Sequence, residues 1–327
     1  MSAPATGVAA SPVAAAASRV PASFFSIVVG LAGLGAAWRS AARAYGVSDW
    51  LADALLAVSA ALFLGVLVAQ VLRAVRGGAL GAELEDPVSG SYAALGPASL
   101  LLVAAGVSVH YRDAAIVLFW VGAAGQAAIG VWLVGRWLLA PAEAKAVTPA
   151  LHLPAVGNLL AAVAAGAVGR ADAGWLFFGA GVVLWLVVAA ALLDRYVSAG
   201  ELPAAVRPLV ALEIAPPAAA LLAWQSLQGG APDAVSRILL GFALFQALVV
   251  ARLLGRLRDV PFSPAYWAFA FPLAALAAGA LRQSAAAPGS VAGALALPLF
   301  IVANAVIAAI AWQTAVAASR GKLLPPG

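Results

Sequence analysis

Ten apolar stretches follow one another along this chain, and they constrain its fold more than any other feature. Each approaches or exceeds the roughly 20 residues that a helix needs to cross the hydrocarbon core of a membrane. Breaks that carry Arg, Asp, Glu or Gly separate them. The stretches cover residues 21–38, 50–72, 92–109, 114–139, 151–168, 173–193, 206–224, 234–254, 264–281 and 291–317. We therefore predict an all-α integral membrane protein with ten transmembrane helices.

The composition excludes several classes of protein. Of the 327 residues, 65% are hydrophobic and 9% are charged, against about 25% charged residues in a soluble domain. The absence of cysteine from the sequence excludes disulfides and thiolate metal sites. The chain also has no P-loop and no zinc-binding His-Glu-x-x-His helix. Its two lysines, Lys145 and Lys322, lie outside the apolar stretches, which excludes a retinal Schiff base. We predict that it is not an enzyme and holds no metal or cofactor.

The positive charge follows membrane topology. Although the net charge is +5, no basic cluster is interleaved with aromatic residues as nucleic-acid binding requires, so membrane lipid and not nucleic acid is the expected partner. Cytoplasmic segments carry an excess of Lys and Arg. Twelve lie on the side of the tails: Arg19, Arg73, Arg76, Arg136, Lys145, Arg195, Arg207, Arg252, Arg256, Arg258, Arg320 and Lys322. Six lie on the other side: Arg39, Arg43, Arg112, Arg170, Arg237 and Arg282.

This bias predicts that both termini are cytoplasmic. Residues 1–20, rich in alanine and with two prolines, lack the basic start and apolar core of a secretory signal. We interpret them as a disordered cytoplasmic N-terminal tail. Residues 21–318 then form the transmembrane domain, and residues 319–327 form a short cytoplasmic C-terminal tail.

Prolines divide the stretches by parity. The odd-numbered stretches carry Pro21, Pro97, Pro154, Pro216 and Pro272, each in the N-terminal half, whereas among the even-numbered ones only the tenth contains an internal proline, Pro298. An internal proline frees a backbone carbonyl, which is tolerated at membrane depth where the helix faces protein or a watery cavity. The pattern favours five helical hairpins whose kinked odd helices ring a central path. The alternative is the general abundance of proline in membrane helices.

Glu213 is the clearest ionisable residue inside a stretch, and it stands three residues before Pro216. Such residues are functional candidates, so Glu213 is a candidate proton-binding or gating site. The alternatives are a neutral carboxyl bonded to a freed carbonyl and a position near the membrane interface. The two histidines, His110 and His152, fall at helix ends on opposite membrane faces, where interfacial positions are expected and a shared metal is excluded.

Three segments, in this order, carry a resemblance to a known family. Phe24-Phe25 and the run GLAGL at 30–34 lead to Trp38-Arg39, residues 215–217 read APP, and residues 262–272 read FSPAYWAFAFP. From about residue 21 to 317 the chain resembles the tellurite-resistance/dicarboxylate transporter (TDT) family, to which TehA and the plant guard-cell slow-type anion channels belong. The resemblance implies five hairpins around a central pore, a homotrimer, and a location in the bacterial inner membrane.

The resemblance also implies a phenylalanine of the ninth helix that plugs the pore. Matched residue by residue, this position falls on Phe271, immediately before Pro272. Phe269 is the competitor, but residues two apart on a helix face nearly opposite ways, so only one of the two occludes. The alternative for Phe271 is an ordinary packing or lipid-facing aromatic residue.

Two functions remain open at this point. The first is a passive channel for chloride, nitrate or similar small anions, gated by Phe271. Its pore is expected to have no buried cation, so that weak dipoles and retained water stabilise the anion. Arg252, Arg256 and Arg258 would raise the anion concentration at its cytoplasmic mouth, unless they serve topology alone. The second is a carrier of a C4-dicarboxylate such as malate, or of tellurite or sulfite, coupled to protons through Glu213. A third class, a membrane protein without transport activity, needs fewer helices than ten.

Overall fold

The computed structural model describes residues 19–75, 80–139, 147–229 and 232–324. Ten helical spans in this part of the chain are long and apolar enough to cross a membrane, which confirms the predicted fold class. Their α-helices are α1 (Phe25–Tyr45), α2 (Trp50–Val75), α3 (Leu95–Val107), α4 (Arg112–Leu139), α5 (Leu153–Ala167), α6 (Ala171–Ser198), α7 (Ala215–Gln228), α8 (Ala234–Leu253), α9 (Ala270–Ala286) and α10 (Val291–Ser319).

The odd-numbered helices form a closed inner ring. In chain order α1 contacts α3, α3 contacts α5, α5 contacts α7, α7 contacts α9, and α9 returns to α1. Each even-numbered helix packs on the outside, against the inner helix that precedes it in the chain and against the next one around the ring. Between 61 and 83% of the most apolar part of each inner span is buried, against 17 to 33% in the outer spans. The bundle therefore consists of five hairpins around a central axis.

The predicted kinks take a different form in the structure. Instead of bending α-helices, the prolines stand where one helix type gives way to another. A 3-10 segment precedes the long α-helix of each inner span, and Pro97, Pro154, Pro216 and Pro272 lie in the first turn of the α-helix that follows. Proline is tolerated there because the first amide groups of an α-helix have no intrahelical acceptor. Pro21 differs, since it precedes the 3-10 segment Ala22–Phe24.

Close contact between α9 and α1 closes the ring. A Cβ atom built on Gly30 would lie 2.6 Å from the Cβ of Ala270, so only glycine permits this approach. Small residues allow membrane helices to pack at such short distances. The same contact fixes the position of the first turns of α9, where Phe271 lies.

The ten spans place the start of α1 and the end of α10 at one end of the bundle, which we call the tail face; the opposite end is the far face. At the tail face the carbonyl of Val20 accepts hydrogen bonds from Gln70 and Arg73, and Arg73 forms an ion pair with Glu83 at 2.5 Å. Residues 1–18 of the predicted tail, residues 325–327, Arg76 and Lys145 lie outside the described residues.

Three of the arginines expected in far-face loops lie in the C-terminal parts of inner helices instead. Arg39 and Arg43 lie within α1, and Arg282 lies within α9, because these helices run seven and five residues further than the apolar stretches predicted. The physical reason is a cavity at this end of the bundle, which all three residues line. Long cationic side chains are accommodated inside a membrane span where they reach such a cavity.

Candidate functional site

Two cavities lie inside the inner ring. The far cavity has a volume of about 630 Å³ and is lined mainly by the C-terminal halves of the inner helices, together with Ala52 and Leu56 of α2, Gly229 and Asp233. The tail cavity has a volume of about 30 Å³ and is lined by the 3-10 segments and the first turns of the same helices. A single water molecule needs about 10–15 Å³, so the tail cavity has room for only a few. In this conformation the central path is wide on one side and nearly filled on the other.

Phe271 separates the two cavities. Among the described residues it alone lines both of them, and its side chain is buried. Its ring lies against α1: a Cβ atom built on Gly33 would be 3.1 Å from Cδ2 of Phe271. Phe271 is the residue that the family resemblance predicts as the plug, and it lines both cavities; its role as a plug stays a prediction.

Phe269, the competing position, points elsewhere. Its ring stacks on Tyr266 with a centroid distance of 6.4 Å, and it lines neither cavity. It belongs to the 3-10 segment Pro264–Phe269, while Phe271 belongs to α9. The change of helix type between them still leaves the two rings on different sides of the chain.

The far cavity carries charged side chains, which the sequence interpretation missed. Arg39, Arg43, Asp233 and Arg282 all line it, although a pore without a buried cation was expected. The signal was present in the spacing: Arg282 follows Phe271 by eleven residues, which is about three helical turns. The two side chains therefore share one face of α9.

Glu213 lies in a buried cluster near the tail face. Its Oε1 accepts a hydrogen bond from the hydroxyl of Tyr196 at 2.8 Å, and its Oε2 lies 3.3 Å from Nε2 of His152. The side chain of His152 is completely buried, and the residue lies at the start of the fifth span; its expected position at the membrane interface stays a prediction. The cluster connects the end of α6 with the 3-10 segments Pro149–His152 and Ala204–Glu213. None of the three residues lines either cavity.

The remaining candidates take other positions. Arg252, Arg256 and Arg258 lie exposed at the tail-face end of the eighth span, where Arg256 forms an ion pair with Glu201. They line neither cavity, so their effect on a pore mouth stays a prediction. Among the five prolines only Pro272 lines a cavity, the tail cavity.

Within the described ranges, no group of three or more His, Asp and Glu side chains is placed to hold a metal ion.

Comparisons with known proteins agree with this architecture. Residues 19–315 match the model of the SLAC1 family, described as voltage-dependent anion channel. A tellurite resistance protein TehA homolog of Haemophilus influenzae is 28% identical over 309 residues, which cover 93% of this chain and 92% of that protein. The guard cell S-type anion channel SLAC1 of Arabidopsis thaliana is 29% identical over 193 residues, 56% of this chain and 34% of that protein.

The S-type anion channel SLAH3 of Arabidopsis thaliana is 24% identical over 301 residues, 89% of this chain and 47% of that protein. The chain thus spans less than half the length of these two plant relatives. The resemblance carried by the sequence motifs is confirmed. This multi-pass membrane protein belongs to the SLAC1 family, a family of anion channels and not of enzymes, and it has an anion-transport role.

Proposed function

We propose that this protein is a passive channel for small anions such as chloride or nitrate, closed at rest by Phe271. The observation that carries the proposal is the position of Phe271 between the two cavities of the inner ring. Movement of one aromatic ring would join the cavities without any change in the helix ring. The wide far cavity admits hydrated anions, and the ring bars their further passage.

The proposed setting is a homotrimer in the bacterial inner membrane with the tail face on the cytoplasmic side. The excess of Lys and Arg in the tails and on their side of the bundle supports this orientation. The outer helices expose large apolar side chains, among them Leu64, Val131, Leu176 and Leu248. These surfaces suit contact with lipid and with neighbouring subunits.

The test is the current through the purified protein in a planar bilayer under a chloride gradient. We compare the wild type with Phe271→Ala and use Phe269→Ala as the matched control, because it removes an equally buried ring that lines neither cavity. Phe271→Ala is expected to conduct more than the wild type, with a reversal potential near the chloride equilibrium value. Equal currents in the two alanine variants would contradict the assignment of the gate.

A second function has its own supporting observation. The buried cluster of Glu213, His152 and Tyr196 places a carboxyl group beside an imidazole, which is an arrangement able to take up and release a proton. A carrier of a C4-dicarboxylate such as malate, or of tellurite or sulfite, would use this group for coupling.

The two functions differ in their dependence on Glu213. In proteoliposomes, a carrier predicts malate, tellurite or sulfite uptake that saturates, is driven by a proton gradient, and collapses in Glu213→Gln. Glu201→Gln is the matched control, because Glu201 is an exposed carboxylate on the same face. A channel predicts flux that persists in both variants. No current from the wild type or from Phe271→Ala, in bilayers where a control channel conducts, would favour the carrier.

A further inference from the structure

Arg282 stands in the far cavity on the path to Phe271. Eleven residues separate the two on α9, which corresponds to about 16 Å along the axis and a rotation of only about 20°. Both side chains line the far cavity. An anion that moves through this cavity toward Phe271 therefore passes the guanidinium group.

Among the residues that the structure describes, only one nitrogen of this guanidinium group has partners. Nη1 donates to the carbonyl of Leu222 at 3.4 Å and to the hydroxyl of Ser226 at 3.1 Å. Within the ranges 19–75, 80–139, 147–229 and 232–324, Nε and Nη2 donate to no atom, and Nε is buried. Nε–H and Nη2–H form one edge of the planar group, the edge that guanidinium uses for bidentate bonds to oxygen pairs.

The other charges of the cavity leave Arg282 without a counter-ion. Arg39 is paired with Asp53 at 2.5 Å. Asp233 is held at the rim by hydrogen bonds from Trp224 and from the first turn of α8. Among the described residues, neither Arg43 nor Arg282 forms an ion pair. The cavity therefore has an excess of positive charge, and a buried donor that lacks a partner is costly.

We propose that the far cavity contains an anion-binding site on the Nε–Nη2 edge of Arg282. The ligand is an anion with two coplanar oxygen atoms, such as nitrate or a small carboxylate, because one oxygen for each N–H satisfies the free edge. A spherical halide has only one acceptor centre to share between the two N–H groups, so it matches the edge less well than a pair of oxygen atoms does. The site deepens the proposed function, since it loads anions on the far side of Phe271, and that loading role rests on the channel assignment; binding itself does not require conduction.

The first test measures binding without transport. Thermal unfolding of the purified protein is followed while nitrate or formate replaces chloride at millimolar concentration and constant sodium. Nitrate and formate are expected to raise the melting temperature of the wild type relative to chloride. The half-saturating concentration should rise about tenfold or more in Arg282→Gln, as loss of hydrogen bonds to a charged group predicts. Arg237→Gln is the matched control, because Arg237 lies exposed at the start of the neighbouring helix and does not line the cavity.

Arg282→Lys separates charge from geometry. It keeps a cation in the cavity but has no planar edge, so the variant should bind chloride, nitrate and formate alike. In the Phe271→Ala background, the permeability ratio of nitrate to chloride, taken from reversal potentials, should fall in Arg282→Lys and stay unchanged in Arg237→Gln.

The outcomes are distinct. Nitrate and formate dependence in Arg282→Lys equal to that of the wild type would overturn the proposal, and this holds even if Arg282→Gln fails to fold. If Phe271→Ala carries no current but nitrate stabilisation is lost in Arg282→Lys, the binding site stands and the channel assignment fails. If current is present and all variants respond equally to the three anions, the channel stands and the site on Arg282 is wrong.

Discussion

In this bundle the outer helices are more apolar than the inner helices, whereas in a soluble protein the surface is less apolar than the interior. The outer spans are the more apolar by composition and yet the least buried, whereas the inner spans are less apolar and mostly buried. Lipid is as apolar as leucine, so the outer helices lose nothing by exposing such residues. Polar and small residues are confined to the ring, where other helices or a cavity surround them.

This difference shows where function can reside in the molecule. The inner helices contain Phe271, Arg282 and the close-packed glycines Gly30 and Gly166, and the 3-10 segments of the inner spans carry Glu213. The outer helices contribute chiefly an apolar surface. The following predictions test whether changes to the ring and to the outer layer have unequal effects.

The largest effect is expected where the ring is tightest. A Cβ atom on Gly166 of α5 would lie 2.4 Å from the carbonyl oxygen of Ser226 on α7, and backbone cannot move aside as a side-chain end can. Gly166→Ala should therefore lower the free energy of unfolding by about 1–3 kcal/mol. The measurement is unfolding in mixed detergent micelles.

Gly241→Ala provides the matched control for the outer layer. A Cβ atom on Gly241 of α8 meets no atom within 4 Å, and alanine favours a helix over glycine by about 1 kcal/mol. This variant should be as stable as the wild type or more so. Equal losses in Gly166→Ala and Gly241→Ala would remove the distinction between ring and outer layer.

A smaller effect is expected at the start of α8, an outer helix. Asp233 caps this helix, and hydrogen bonds, first from the backbone N–H of Ser236 and also from Trp224, hold the pKa of its carboxyl below the ordinary value. Asp233→Ala should cost about 1 kcal/mol. Faster amide hydrogen exchange in the first turn of α8, with no change in α5 or α9, is the expected readout.

The pH dependence of this cap has a definite sign. Because the folded pKa is lowered, the stabilisation is present above the unfolded value and is lost as the pH falls through the folded value. Protection of the first turn of α8 should therefore fall at strongly acidic pH in the wild type. In Asp233→Asn the side-chain oxygen still accepts hydrogen bonds but does not titrate, so the amide protection of the first turn of α8 should not fall at acidic pH. If protection falls in this variant as it does in the wild type, another group is responsible.

The smallest effect is expected at the contact between α1 and the proposed gate, Phe271. Gly33→Ala places a Cβ atom 3.1 Å from Cδ2 of Phe271 and so crowds the ring in its present position, the proposed closed state. We expect open probability to rise about threefold, the effect of about 0.6 kcal/mol on a two-state equilibrium. Single-channel recording measures it.

The double variant Gly33→Ala with Phe271→Ala should conduct like Phe271→Ala alone, because the alanine at position 33 then has no ring to crowd. Gly65→Ala on α2, where a Cβ atom meets nothing within 4 Å, should leave the current unchanged. Additive effects of the two ring substitutions would show that Gly33 acts independently of Phe271.

The number of helices and their grouping into hairpins could be predicted from the amino-acid sequence alone. Membrane spans carry this information locally, because every backbone polar group must be satisfied within the helix and the apolar length must match the bilayer. The prolines of the odd-numbered stretches also identified the inner helices, because proline changes the backbone hydrogen bonding of its own segment. In the structure, four of these prolines lie at the start of α-helices and do not bend them. The sequence also placed Phe271 on α9 through its resemblance to a known family.

The identity of the residues that face the central path depends on how the helices pack together, and the sequence alone did not predict it. Arg39, Arg43 and Arg282 were assigned to loops because charge ends an apolar stretch, but a cavity built by five helices lets these helices continue and accommodates the charges. His152 and Glu213 are 61 residues apart in the chain and become neighbours only through the packing of α5, α6 and α7. Length and hydropathy are properties of one segment, whereas a cavity and its lining are properties of several, and no single segment records them.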